Sequence, residues 1–145
     1  MPAIWTIGYE KLRPESLAAE LEAAGVERVI DVRFRPQSRR PGMSKTKLGL
    51  LLADHRIAYE HRKALGTPPD LRWLFHAGRT QEAATAYRRH VESTAPEALG
   101  ELAAELDGGP RTALLCLEED PAGCHRRVIT DALRERVRGL DVVDL

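Results

Sequence analysis

The sequence predicts a single three-layer α/β domain spanning residues 1–145, with a mostly parallel sheet flanked by helices. Short apolar runs alternate with helical repeats along the whole chain, the pattern of stacked strand and helix layers. The first strand, helix and strand fit within about 30 residues, the span of a βαβ unit, whose crossover should be right-handed. No repeat, low-complexity tract or linker separates two cores.

Taken in order, Ala3-Ile4-Trp5-Thr6-Ile7 reads as a first strand ended by Gly8. Pro14 suits the first position of a helix, Leu17, Leu21 and Ala24 make its apolar stripe, and Gly25 stops it. Val26 to Val32 is a second strand with Asp31 and Arg33 at its exit. Arg33 to Thr46 holds two prolines, a glycine and five basic residues, so it reads as a loop on the active-site side. A short helix over Lys47 to His55 uses Leu48, Leu51 and Leu52, and Ile57 to His61 makes a third strand. After the turn-rich Leu65 to Asp70, Leu71 to Val91 predicts one or two helices broken near Gly78, with Trp73 and Phe75 in the core. Pro96 opens a helix with Leu99, Leu102, Ala103 and Leu106 buried, and Gly108-Gly109-Pro110 ends it. A last strand follows at Asp141-Val142-Val143.

Between these lies the stretch on which the chain centres, Thr112 to Arg127, TALLCLEEDPAGCHRR. Ala113 to Leu117 reads as a buried strand. From Cys124 to about Arg138 a helical period begins, with Val128, Ile129, Ala132, Leu133 and Val137 on one face. Cys116 then sits at the carboxyl end of a strand, and Cys124, His125 and Arg126 at the amino end of the next helix. In open α/β sheets ligands bind in that crevice, and a helix start attracts anions.

Composition narrows the function classes. The chain is long enough for a core without staples, and 43% hydrophobic residues exclude a disordered protein. No apolar run approaches the roughly 20 residues that span a bilayer, so no membrane partner is expected. The opening MPAIWTIG has no basic region ahead of its apolar run, which predicts no secretory signal. The two cysteines read as free thiols and a cytoplasmic location as the default. Net charge is +0, but Arg28 to Lys63 carries ten basic residues against three acids, and Glu92 to Asp120 eight acids against Arg111 alone. Such asymmetry builds a basic face that steers an anion, unless the charges cancel in space.

With these residues in view, TIGYEKLRPESLAAELEAAGVERVIDVRFRPQSRR resembles the opening of the domain of unknown function 488 family: T-I-G with a polar aromatic or His, a helix, then D-V-R, a Pro and S-R. Tyr59-Glu60-His61 leading to Leu65-Gly66 is similar to that family's Y-x-H…L-G segment, and LLCLEEDPAGCHR to its closing C-x-E…C-H-R signature. Two departures stand out. Tyr9 replaces the usual His, and Thr67 follows Leu65-Gly66 where a second glycine is frequent. The resemblance implies an α/β fold and a shared site, and little about the reaction.

Cys124 at a helix start beside Arg126 should have a lowered thiol pKa, and His125 suits acid or base work. The phosphatase pattern is absent, because the positions six after Cys124 and Cys116 are Thr130 and Ala122 rather than arginine. The Gly-rich crescent of a rhodanese loop is absent too. Packing of two small buried cysteines is the plainer alternative. Cys116, Cys124, His61, His125 and Glu118 include enough soft and borderline ligands for zinc, but their spacing matches no tight metal knuckle, so no metal or other cofactor is assigned. Arg33, Arg39 and Arg126 form the more persuasive feature, an anion pocket, with an ordinary surface position the alternative for Arg39 and Arg40. Asp31 and Glu118 would suit general acid/base hydrolysis of a glycosidic or phosphoester bond, and Asp31 equally a structural partner for Arg33. Tyr59 and His61 would contact a base or sugar.

The favoured expectation is a small enzyme, in class a hydrolase, acting on a phosphorylated, nucleotide or nucleic-acid-derived substrate. Arg33, Arg39, Tyr59 and Arg126 would bind it; Asp31, His61, Glu118, Cys124 and His125 would supply the chemistry. The alternatives are a non-catalytic nucleic-acid-binding module using the basic region, and a thiol or metal sensor built on Cys116 and Cys124.

Overall fold

The structure, a computed structural model, describes residues 2–145. Five strands form one sheet: β1 (Ala3–Gly8), β2 (Arg28–Asp31), β3 (Ala58–His61), β4 (Thr112–Cys116) and β5 (Asp141–Asp144), in the order β3-β2-β4-β1-β5. Every pairing is parallel. Six α-helices connect the strands: α1 (Pro14–Ala23), α2 (Lys45–Asp54), α3 (Pro69–His76), α4 (Thr80–Thr94), α5 (Ala98–Glu105) and α6 (Arg126–Arg136). The α/β class and the parallel sheet expected from the sequence are both present. None of these helices is long and apolar enough to cross a membrane.

Alternation along the strands sorts the side chains into two cores. Trp5, Ile7, Val29, Ala113 and Leu115 meet Leu17 and Leu21 of α1 and Leu48 and Leu52 of α2 on one face. Ile4, Ile30, Leu114 and Cys116 meet Phe75, Tyr87, Leu102 and Ile129 from α3 to α6 on the other. β4 is fully buried, as its unbroken apolar run demands.

The order of strands locates a crevice. β2 connects outward to neighbouring β3 through α2, whereas β4 connects past β1 to β5 through α6, on the opposite face. The chain therefore leaves the adjacent carboxyl ends of β2 and β4 in opposite directions, which defines a topological switch point.

The helical stretch after residue 68 is two helices, split as expected at Gly78, which adopts φ +79°. Two local expectations shift. The focal helix starts at Arg126, because a 3-10 turn over Pro121–Gly123, tied by Asp120 Oδ1 accepting from Ala122 N at 3.0 Å, intervenes before Cys124. Trp73, expected in the core, is 55% exposed. Leu74 and Phe75 take the inward face of α3, and Trp73 points away from it.

Candidate functional site

At the switch point a cleft of about 430 Å³, counting space open to solvent, lies among the loops that leave β1, β2 and β4. Cys116, Glu118, Cys124 and His125 line its α3–α6 side, Tyr9 and Arg33 the other, and Phe34, Arg35, Thr67 and Arg72 lie around it. Two glycines let the walls close. A Cβ on Gly8 would lie 1.7 Å from the Glu118 carbonyl oxygen, and one on Gly66 would lie 2.5 Å from Phe34 Cα. No side chain fits at either position.

Asp31 and Arg33 form the frame of this cleft. Asp31 is wholly buried and accepts from Arg33 Nε at 2.9 Å, Arg33 Nη2 at 2.8 Å, Arg33 N at 3.0 Å and the Tyr59 hydroxyl. Arg33 Nη1 donates to Met43 O at 2.8 Å and to Tyr9 Oη at 3.2 Å. Burial works against the Arg33 charge, but the bonds and charge of Asp31 outweigh it and raise its pKa. Burial and the same carboxylate raise Tyr59. His61 Nε2 donates to the Arg33 carbonyl at 2.7 Å. These groups satisfy one another. Asp31, Tyr59 and His61 do not line the cleft, so the structure gathers them behind the wall rather than at it.

The second buried arginine is different. Arg126 has no exposed surface and contacts no carboxylate among the described residues. Its Nη2 donates to the carbonyls of Glu118 and, at 3.4 Å, Glu119. Its Nε donates to Cys124 Sγ at 3.1 Å, and its backbone N–H to the same sulfur at 3.4 Å. A buried guanidinium needs an anion, and among the described residues the acidic side chain in contact is the Cys124 thiol. Burial opposes charge on Cys124, yet the bonds from Cys116 and Arg126 bring its pKa below the ordinary thiol value. The bond shared with Cys124, then burial, pushes Cys116 well up. Cys116 Sγ also lies 3.2 Å from Glu118 Oε2. Its single proton serves one acceptor at a time. The pair is thus asymmetric, with Cys124 the more acidic thiol and Cys116 the less.

His125 completes the floor. Its Nε2 donates to the Val32 carbonyl at 2.7 Å, which leaves the lone pair on Nδ1, and its ring packs 5.1 Å from Tyr87. Burial pushes its pKa down to about 4, so the ring is neutral near pH 7. Burial works against the Glu118 charge, but bonds from its own backbone, Cys116 and His76 hold it below the ordinary carboxylate range.

Of the arginines expected to hold an anion, Arg33 lines the cleft with most of its donors committed, and Arg126 lies wholly buried behind the sulfur. Arg39 is exposed and does not line the cleft, while its neighbour Arg40 is bound to the carbonyls of Tyr9, Glu10 and Leu12. Arg35 and Arg72 stand there instead, and neither guanidinium has a hydrogen-bond or ion-pair partner among the described residues. Arg35 lay within the basic loop; Arg72 was hidden in a helical stretch. The Thr67 hydroxyl, buried and lining the cleft, is the one side-chain polar atom among the described residues that is buried without a partner. Both departures from the family pattern, Tyr9 and Thr67, line this cleft.

The family model described as Domain of unknown function DUF488 matches residues 13–133, most of the chain. No curated protein and no solved structure matches it.

Proposed function

Since the chain belongs to the domain of unknown function 488 family, whose description names no activity, we propose from the cleft itself that it is an enzyme. Its substrate is a small phosphorylated or nucleotide-type anion, and Cys124 is the nucleophile. One observation carries this reading: a wholly buried Arg126, without a carboxylate, donates twice to Cys124 Sγ on the cleft floor. The enclosed space in the cleft is only about 40 Å³, which favours a small anionic group over a nucleic-acid duplex.

In this reading Arg35 and Arg72 hold the anionic group, Thr67 donates a hydrogen bond, and Phe34 and Phe75 flank the apolar part. The thiolate attacks the electrophilic centre and expels the leaving group, which gives a covalent adduct. Neutral His125, with Nδ1 free, accepts a proton from the water that releases the adduct, and Glu118 relays protons to solvent. Asp31, Arg33, Tyr59 and His61 position the loop after β2. The chemistry needs reduced thiols, which fits a cytoplasmic setting.

Paired alkylation rates test the reading, with negatively charged iodoacetate against neutral iodoacetamide. Cys124 should favour iodoacetate relative to free cysteine by about tenfold, through the local concentration of the anion. Arg35→Ala and Arg72→Ala should each erode that preference while leaving the iodoacetamide rate near wild type. A ratio equal to that of free cysteine would contradict the anion-binding mouth.

A further inference from the structure

Going beyond a nucleophilic Cys124, we propose that Cys116, Cys124 and His125 also form a binding site for a thiophilic divalent cation of the zinc type, whose occupancy takes Cys124 out of reaction. The three residues are buried, and one donor atom from each falls within 4.8 Å of the others. Two sulfurs and an imidazole are the donor set that zinc prefers, and three protein ligands leave a fourth position for water or another group. Two further features fit a site of this kind. His125 Nε2–H is fixed on the Val32 carbonyl at 2.7 Å, so Nδ1 carries the lone pair; ligating histidines are oriented by such a bond to a carbonyl. Cys124 Sγ accepts two N–H groups from Arg126, which disperse thiolate charge without blocking the cleft side of the sulfur.

The fourth position has a candidate. Glu118 Oε2 is 3.2 Å from Cys116 Sγ, on the cleft side, where it could hold a water bound at that position. A divalent cation would replace the Cys116 proton, and binding would release that proton. Two thiolates would then face the ion. The loose spacing of Cys116 and Cys124–His125 matched no metal knuckle in the sequence; the fold brings them together from β4 and the entry to α6, across the 3-10 turn.

Cobalt titration of the metal-free full chain tests the proposal, read by the sulfur-to-cobalt charge-transfer band and by displacement with zinc. One cobalt per chain is expected, with a band lost in Cys116→Ser and affinity at least about tenfold weaker in His125→Gln. Circular dichroism establishes that each variant is folded, and a chelator should reverse the band in wild type where a variant is not. Zinc should also slow alkylation of Cys124 by iodoacetamide, and chelation should restore it. No band in wild type, or a band unchanged in Cys116→Ser, overturns the site. Rapid alkylation of Cys124 that zinc does not slow overturns it too, while the nucleophile reading stands. A cobalt band in a protein whose Cys124 never alkylates upholds the metal site and removes the nucleophile.

Discussion

Two arginines are buried in this protein, and a buried guanidinium is tolerated only when its charge is answered and its N–H groups have acceptors. Arg33 meets that condition with Asp31, two residues away on the same chain segment. Arg126 meets it with Cys124, also two residues away, and the answer there is a sulfur at the edge of a cleft. The same rule thus yields a pair behind the wall in one place and a sulfur facing the cleft in the other. Thr67 makes the converse point. Its hydroxyl has given up water without gaining a partner, which costs about 1–3 kcal/mol. Thr67→Val, of nearly equal volume, should therefore stabilise the ligand-free protein by about 1 kcal/mol in denaturant unfolding. The same substitution should weaken whatever ligand the cleft holds.

At the scale of elements, α5 is fastened to the sheet through one carboxylate. Glu105 accepts from Arg28 Nη1 of β2 at 2.6 Å and from Arg62 Nη1, just beyond β3, at 2.7 Å. The bonds from Arg62 hold Glu105 below the ordinary carboxylate range, against a smaller effect of burial, and those from Arg28 add to this. A folded-state pKa below the unfolded value stabilises the fold above the unfolded value, and that contribution fades as pH falls through the folded one. Glu105→Gln should therefore cost about 1 kcal/mol at neutral pH, discounted for its partial exposure. The gap from wild type should close in acid, which urea midpoints across a pH series would show. A gap that is constant with pH would mean the ion pairs contribute nothing.

For the molecule as a whole, the sheet and its helices were legible because period and punctuation agreed: Pro14 and Gly25 bracket α1, and β4 is an uninterrupted apolar run. The place of the cleft was legible for the same reason, since Cys116 closes a strand and Cys124 precedes a helix. What each arginine does there was not. Arg33, Arg39 and Arg126 look alike in sequence, and only the folded chain separates one paired to Asp31, one in solvent and one behind a sulfur. Arg72 and Thr67 reach the cleft from segments that carry no chemical pattern, and the bond from His125 to Val32 closes over 93 positions. Spacing cannot report such convergence. Trp73 misled because hydrophobicity alone, without the facing of α3, argued for burial.

The claim that binds these scales is that Arg126 makes Cys124 the more acidic of the two thiols, and the pH dependence of iodoacetamide alkylation, with the modified cysteine located by mass spectrometry, tests it most directly. Cys124 should react before Cys116, with a midpoint below that of an ordinary thiol, and Arg126→Met should move that midpoint upward in a protein that remains folded. Reaction at Cys116 first, or at both cysteines only in the alkaline range of a free thiol, would contradict the account.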